Sequence, residues 1–283
     1  MLTNKGFGKR GAYMWLQNYA HDFWGSDFSD GETKVYVPNN IFEELPIECF
    51  DRGQHKLFAI VYYSLISWIY RYAKFDDIFL TTKDLTSSTK IMAGLSPKTK
   101  TLNYVIVKNG VLDKQGITRT TSILKAPYQS YYDEYTNFVY FDYLDDFPIK
   151  NKYPKRLVIK EPLLSLEERV YQDIVYLGSF QDIENTFCFN MKDYIYMSTV
   201  LKMSYEEIGF YYYLLSRQGM FGENLKISRL QMSRDLGVPE KAITRYKQSL
   251  LKHKIIKEIL GRKGINNTIK IQNVSDLYAS TNS

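Results

Sequence analysis

Residues 225–271 read LKISRLQMSRDLGVPEKAITRYKQSLLKHKIIKEILGRKGINNTIKI, and the punctuation of that stretch decides the fold. Ser228 stands where an N-cap belongs, with Gln231 three residues on, the spacing of a capping box. The helix it opens runs to Leu236, and Gly237 supplies the backbone freedom of a sharp stop. Val238-Pro239-Glu240 restarts the chain, since proline is tolerated in a first helical turn. In the next helix Ile243, Tyr246 and Leu250 recur at three- and four-residue spacing and mark a buried face. The opposite face carries Lys241, Thr244, Arg245, Gln248 and Lys252, all hydrogen-bond donors, and no carboxylate. After His253-Lys254 the pattern changes to strand through Ile255, Ile256, Ile259 and Leu260. A turn at Gly261-Arg262-Lys263-Gly264 precedes Thr268-Ile269-Lys270-Ile271, which alternates with period two.

Helix, tight turn, helix and basic hairpin is the order of a winged helix–turn–helix. Duplex DNA requires such a pair of elements, one for the major groove and one for backbone or minor groove. Lys241, Arg245 and Gln248 are the expected base-edge contacts, because Arg and Gln bond guanine and adenine bidentately. Thr244 and Lys252 complete that helix face, and Arg262, Lys263, Asn266 and Asn267 form the expected wing contacts. The plain alternative is a solvated helix face, since most surface lysines contact nothing specific.

An echo of this pattern lies upstream. Val35-Tyr36-Val37 reads as a short strand and Ile41–Leu45 as one helical turn. Residues 54–75 form a long helix with Leu57, Phe58, Ile60, Val61, Leu65, Ile66, Trp68 and Ile69 placed nearly all round. A helix apolar on every side is buried on every side, so a homodimer contact through 54–75, or else through the N-terminal arm, is one expectation. Thr81–Asp84 can cap a helix ending near Ala93-Gly94, and Leu95-Ser96-Pro97 restarts the chain as Val238-Pro239 does. Leu95, Leu102 and Ile106 then face inward, while Ser96, Lys100, Asn103, Tyr104 and Lys108 face outward as this unit's expected recognition-helix contacts with DNA, until Asn109-Gly110 stops the helix. Val111-Leu112 is expected to begin a strand that pairs across Lys114-Gln115-Gly116 with Ile117–Thr120, Arg119 included. Lys114, Gln115 and Arg119 are this unit's wing contacts.

Between the two units lies a stretch of different chemistry. Tyrosines 128, 131, 132, 135, 140 and 143 alternate with acids at 133, 134, 142, 145 and 146, a surface that phosphates would repel. Val139–Phe141 reads as sheet, and Pro148, Pro154 and Pro162 punctuate a linker with a basic cluster at Lys150, Lys152, Lys155 and Arg156. Residues 163–177 read as an amphipathic helix through Leu166, Val170, Ile174 and Val175. Phe187–Asn190 reads as a strand, and Ser204 with Glu207 as a second capping box opening a helix through Ile208, Tyr211, Tyr212 and Leu215.

Composition narrows the function classes. The 283 residues are 45% hydrophobic, with a net charge of +6, which permits a polyanionic partner without demanding one. Cys49 and Cys188 stand apart in sequence and imply free thiols rather than a disulfide framework. No apolar h-region and no run of eighteen apolar residues occurs, so a cytoplasmic location without membrane contact is expected. No G-x-x-x-x-G-K-[ST] loop is present, and His21, His55 and His253 are scattered without metal-ligand spacing. The acidic pair Glu206-Glu207 opens a helix, where the dipole already accounts for it. No enzyme, cofactor or metal is expected.

Residues from Val37-Pro38-Asn39-Asn40-Ile41-Phe42 through Asn109-Gly110-Val111-Leu112 resemble the N-terminal winged-helix domain of replication initiators from Gram-positive plasmids and phages. Phe187-Cys188-Phe189 and Asp235-Leu236-Gly237-Val238 are similar to winged-helix domains of initiators and primosome-type proteins in the same bacteria. The resemblance covers about two-thirds of the chain. It implies sequence-specific binding to repeated double-stranded sites at an origin and recruitment of host replication proteins. The expected architecture is mainly α with small β-wings (α+β): an N-terminal arm at 1–32, a first winged-helix domain at 33–125, a Tyr/Asp-rich insert, linker and connecting helix at 126–185, a second winged-helix domain at 186–275 and a tail at 276–283. A transcriptional regulator of a mobile element, or a non-enzymatic protein–protein adaptor, would use the same folds.

Overall fold

The computed structural model describes residues 34–75, 100–122, 127–129, 138–140, 158–259, 268–272, 274 and 277. Strand β1 (Lys34–Pro38) alternates, with Val35 and Val37 inward, and leads to the helical turn α1 (Ile41–Glu44), which buries Ile41 and Phe42. After a 3₁₀ turn at Ile47–Cys49 comes the long helix α2 (Gly53–Phe75). Every residue from 56 to 68 of α2 is buried, as its all-round apolar sequence requires. The cover comes from within the chain, so this burial does not call for a second subunit.

Where 95–109 is expected to be one helix, the described part holds a single turn, α3 (Asn103–Ile106), which ends at an extended Val107 and a left-handed Asn109 (φ 59°). The expected strand at Val111-Leu112 is helical instead, within α4 (Val111–Lys114). From this turn the Asp113 carboxylate accepts from Asn109 N, Thr118 Oγ1 and Thr120 Oγ1 while pairing with the buried Lys160 ammonium at 2.7 Å, contacts that favour the helical turn.

Strand β2 (Thr118–Ser122) therefore lacks the neighbour expected for it. Two further strands, β3 (Pro127–Gln129) and β4 (Phe138–Tyr140), pair with each other, and β2 pairs antiparallel with β5 (Val158–Pro162), from Thr118↔Pro162 to Ser122↔Val158. The end of the expected linker is thus a strand, with Ile159, Lys160 and Glu161 buried against α2.

The helix expected over 163–177 is a single turn, α5 (Leu163–Leu166), followed by a hairpin of β6 (Arg169–Tyr171) and β7 (Ile174–Tyr176). Gln172 and Asp173 both take positive φ (50° and 63°), the two-residue primed turn that matches strand twist. What holds the hairpin is Arg169, buried to 3% exposure, whose guanidinium donates to the carbonyls of Leu177, Asp182 and Glu184 at 3.0, 3.0 and 2.8 Å.

Strand β8 (Thr186–Asn190) pairs antiparallel with β1, from Lys34↔Asn190 to Pro38↔Thr186. A helix α6 (Met191–Ile195) and a π-turn at Tyr196–Val200, neither expected, lead to α7 (Tyr205–Phe221). The Ser204 capping box is complete: Ser204 N donates to Glu207 Oε2 at 2.7 Å and Glu207 N to Ser204 Oγ at 3.4 Å. Then follow α8 (Arg229–Leu236), α9 (Glu240–Lys252), β9 (Ile256–Ile259) and β10 (Thr268–Ile271).

The architecture is mixed α+β, with helices and small antiparallel strand pairs. One cluster of buried side chains runs from Val35 and Phe58 through Leu112 and Phe189 to Phe210, Tyr246 and Ile269. The boundaries expected between 33–125 and 186–275 are therefore crossed by the β1–β8 ladder, by α2 against α7, and by this core. The expected arm at 1–32, the Thr81–Gly94 helix, the basic cluster at 150–156 and most of the aromatic insert lie outside the described residues.

Candidate nucleic-acid interface

The geometry starts at the α8–α9 turn. Ser228 accepts from Gln231 N at 3.0 Å, forming half of the expected box; the Gln231 side chain turns instead to Asp235 Oδ1. Gly237 closes α8 in the left-handed region (φ 64°), where a side chain would strike Ile47. Ser233 Oγ donates to Val238 O at 2.6 Å and pins the turn, and Pro239 caps α9 from outside rather than within its first turn.

Helix α9 is oriented by Ile243, Tyr246 and Leu250, all at 0% exposure, with Tyr246 packed 5.8 Å from Phe210 of α7. With that stripe inside, Lys241, Arg245, Gln248 and Lys252 stand in solvent on the far side, and Thr244 is half-buried. The Arg245 guanidinium lies 5.2 Å from the Tyr246 ring, which limits its orientations. Thr244 donates to Glu240 O at 3.0 Å and accepts from Arg229 at 3.4 Å, so it brings an arginine of α8 to the same face. Lys247, on the flank, is taken up by Glu258 of β9 at 2.7 Å.

Beside this face an open cleft of about 410 Å³ runs between α9 and the loop before α7. Lys202, Arg245, Gln248, Lys252 and His253 line it, with Glu207 as its carboxylate. Glu207 already accepts from Ser204 N. Burial, and then the neighbouring Lys252 charge, push the His253 imidazole below its ordinary value. The lining of this cleft is predominantly cationic.

The β9–β10 hairpin supplies a second basic surface. Ile256 and Ile269 point inward, while Lys257 and Lys270 are exposed and directly opposite in register. Leu225 exchanges both hydrogen bonds with Ile269, at 3.1 and 2.9 Å, in an isolated bridge beside the hairpin. Like charges facing across a ladder repel by roughly 0.2–1 kcal/mol, an arrangement that an anion relieves. Arg262, Lys263, Asn266 and Asn267, the expected wing tip, lie outside the described residues.

No family model, curated protein or solved structure matches the chain.

The upstream candidates are arranged differently. Ser96 lies outside the described residues. Lys100, Lys108 and Lys114 are exposed, and Asn103 and Gln115 half-buried. The Tyr104 hydroxyl accepts from Asp51 N at 2.9 Å and bonds His55 Nδ1 at 2.8 Å. Arg119 Nε donates to Glu161 Oε2 at 2.6 Å, with Glu167 at 3.6 Å from Nη1, so a phosphate there would compete with two carboxylates. The structure does not gather these seven described side chains on one helix.

Arg229, Lys257, Lys270 and the cleft residue Lys202 are missing from the expected set. Lys257 and Lys270 had a signal in sequence, each alternating with an inward isoleucine; their facing register did not. The approach of Arg229 to Thr244 depends on the α8–α9 packing and had none. Among the described residues no helix is long and apolar enough to cross a membrane.

Proposed function

We propose that the chain is a sequence-specific double-stranded DNA-binding protein in which α7, Leu225, α8, α9 and β9–β10 act as a winged helix. Helix α9 enters the major groove, with Lys241, Arg245 and Gln248 toward base edges. Lys252 and the cleft beside it follow one phosphate strand, and Lys257 with Lys270 meets the other. The observation that carries this reading is the exposed face of α9 that presents Lys241, Arg245, Gln248 and Lys252, flanked by a lysine pair facing each other across the β9–β10 ladder. The first unit acts as a second winged helix built on α2, with β2 and β5 as its paired strands. Taken with the resemblance, the role is initiation of plasmid or phage replication at repeated origin sites.

Fluorescence anisotropy with specific and random duplexes tests the assignment. Arg245→Ala is expected to cost about 1–3 kcal/mol on the specific duplex and to blur preference at one base. Lys257→Ala and Lys270→Ala should weaken all duplexes alike, each flattening the log–log salt slope by about one. Salt-insensitive binding, or identical losses for all three variants on both duplexes, would refute the division of labour. Footprinting on DNA flanking the coding sequence separates the biological roles: several direct repeats support initiation, and one palindrome beside a promoter supports transcriptional control.

A further inference from the structure

The β6–β7 hairpin is held out into solvent with its apolar side uncovered. Val170 and Val175 stand directly opposite each other at 60% and 61% exposure on the face turned away from Arg169, and Leu177 and Ile183 in the loop that follows are exposed at 44% and 57%. Scattered exposed hydrophobics are ordinary, but a facing pair with two more in the adjoining loop of one short segment points to an interaction surface.

The charge around it is opposite to that of the chain. Residues 167–184 hold five carboxylates, at Glu167, Glu168, Asp173, Asp182 and Glu184, and one base, Arg169, in a protein of net charge +6. Arg169 is buried beneath the hairpin; Glu167 is approached by Arg119, and the other four carboxylates form no ion pair among the described residues.

Support from below keeps this surface in place. Besides its three carbonyl bonds, the Arg169 guanidinium lies 5.0 Å from the Tyr176 ring. Ser179 Oγ donates to the buried Ser165 Oγ at 3.0 Å, and Gly178 sits so close that a Cβ would lie 2.6 Å from Ser165 O. A two-stranded hairpin is marginal by itself, and this one buries little of its outer face. Arg169 Nε and Nη2 anchor it through three carbonyls, while Nη1 is buried without a hydrogen-bond partner among the described residues. An apolar face anchored in this way loses less freedom on binding than a free loop would.

We propose that the outer face of residues 169–184 is a docking surface for another protein, one presenting apolar side chains flanked by lysine or arginine. Nucleic acid and anionic lipid are disfavoured by Glu168, Asp173 and Glu184. A symmetric contact with a second copy would set two acidic segments against each other. A basic, apolar protein segment satisfies both the valine pair and its acidic rim. The proposal is independent of the DNA-binding reading.

The test uses the full chain and three short labelled peptides: alternating Leu and Lys, alternating Ser and Lys of equal charge, and alternating Leu and Glu. The Leu/Lys peptide should bind one-to-one, about tenfold or more tighter than the Ser/Lys peptide, with the Leu/Glu peptide silent. Hydrogen exchange should slow within 169–184. The double variant Val170→Ser, Val175→Ser, whose side chains are already solvated, should keep its unfolding transition and lose about tenfold in affinity. Saturating duplex DNA should leave the peptide bound, and a chain that fails to bind DNA should bind the peptide equally well. Absence of binding, protection elsewhere, unchanged affinity in the double variant, or equal affinity for the Ser/Lys peptide overturns the proposal. So does concentration-dependent self-association removed by the double variant, which would make the occupant a second copy.

Discussion

Lys56 shows how much a single buried charge reveals about the fold. It is 3% exposed and donates to Asp235 O at 2.9 Å, and burial brings its pKa down to about 8. The folded chain thus holds this proton less tightly than the unfolded chain, whose lysine titrates near the ordinary value. Above about pH 8, and up to that ordinary value, the unfolded state binds more protons, so this residue's contribution to stability rises with pH and is least favourable below the window. Urea unfolding at about pH 7.5 and 9.5 should show the wild type gaining about 1–2 kcal/mol relative to Lys56→Met. Parallel responses would remove the charged, desolvated Lys56 from the account. The same scale explains Tyr104 and Arg119: their residue types suit DNA, and their hydroxyl and guanidinium are engaged inside the chain.

At the scale of elements, caps and left-handed stops are the most legible features. Ser204→Ala should lower stability by roughly 1 kcal/mol, since both halves of the α7 box form, and thermal or urea unfolding measures it directly. Ser228→Ala removes one bond rather than two, because Gln231 points to Asp235, and its loss should be the smaller. Elements whose shape rests on distant partners were misread. Leu166, Val170 and Ile174 have helical spacing, yet the hairpin exists because Arg169 finds three carbonyls in the following loop. Val111-Leu112 looks like a strand, yet Asp113 favours a turn by gathering donors from β2 and β5.

Across the whole molecule, the first residue of α2 is wedged against the α8–α9 turn. A Cβ on Gly53 would collide with the carbonyl of Gly237, so Gly53→Ala should destabilise by about 1–3 kcal/mol or more despite the higher helix propensity of alanine. A gain in unfolding midpoint would show that the two segments do not touch in this way. Near this contact Arg217 of α7 pairs with Glu43 at 2.8 Å and lies 3.5 Å from Asp235, while Tyr213 donates to Asp235 Oδ2. The helices of the proposed DNA-reading unit are therefore joined to the upstream half through polar as well as apolar contacts. A fragment of residues 186–283 loses β1 and α2, leaving Phe189 and Phe210 without part of their cover. It should lack a cooperative unfolding transition and bind a hydrophobic dye. A sharp transition with full DNA affinity would show that the C-terminal half is self-sufficient.

The residues alone determined the local grammar of the C-terminal half: the Ser228 and Ser204 caps, the Gly237 stop, the inward stripe of α9, and by subtraction its outward donors. These are legible because each depends on neighbours within one helical turn or one strand repeat. Only tertiary structure decided that β1 pairs with β8, that β2 finds β5 across an intervening insert, and that residues 169–177 form a hairpin. Each of those results turns on a contact between residues far apart in the chain, or on a buried charge that folds the backbone around itself. Spacing along a sequence carries no record of such partners.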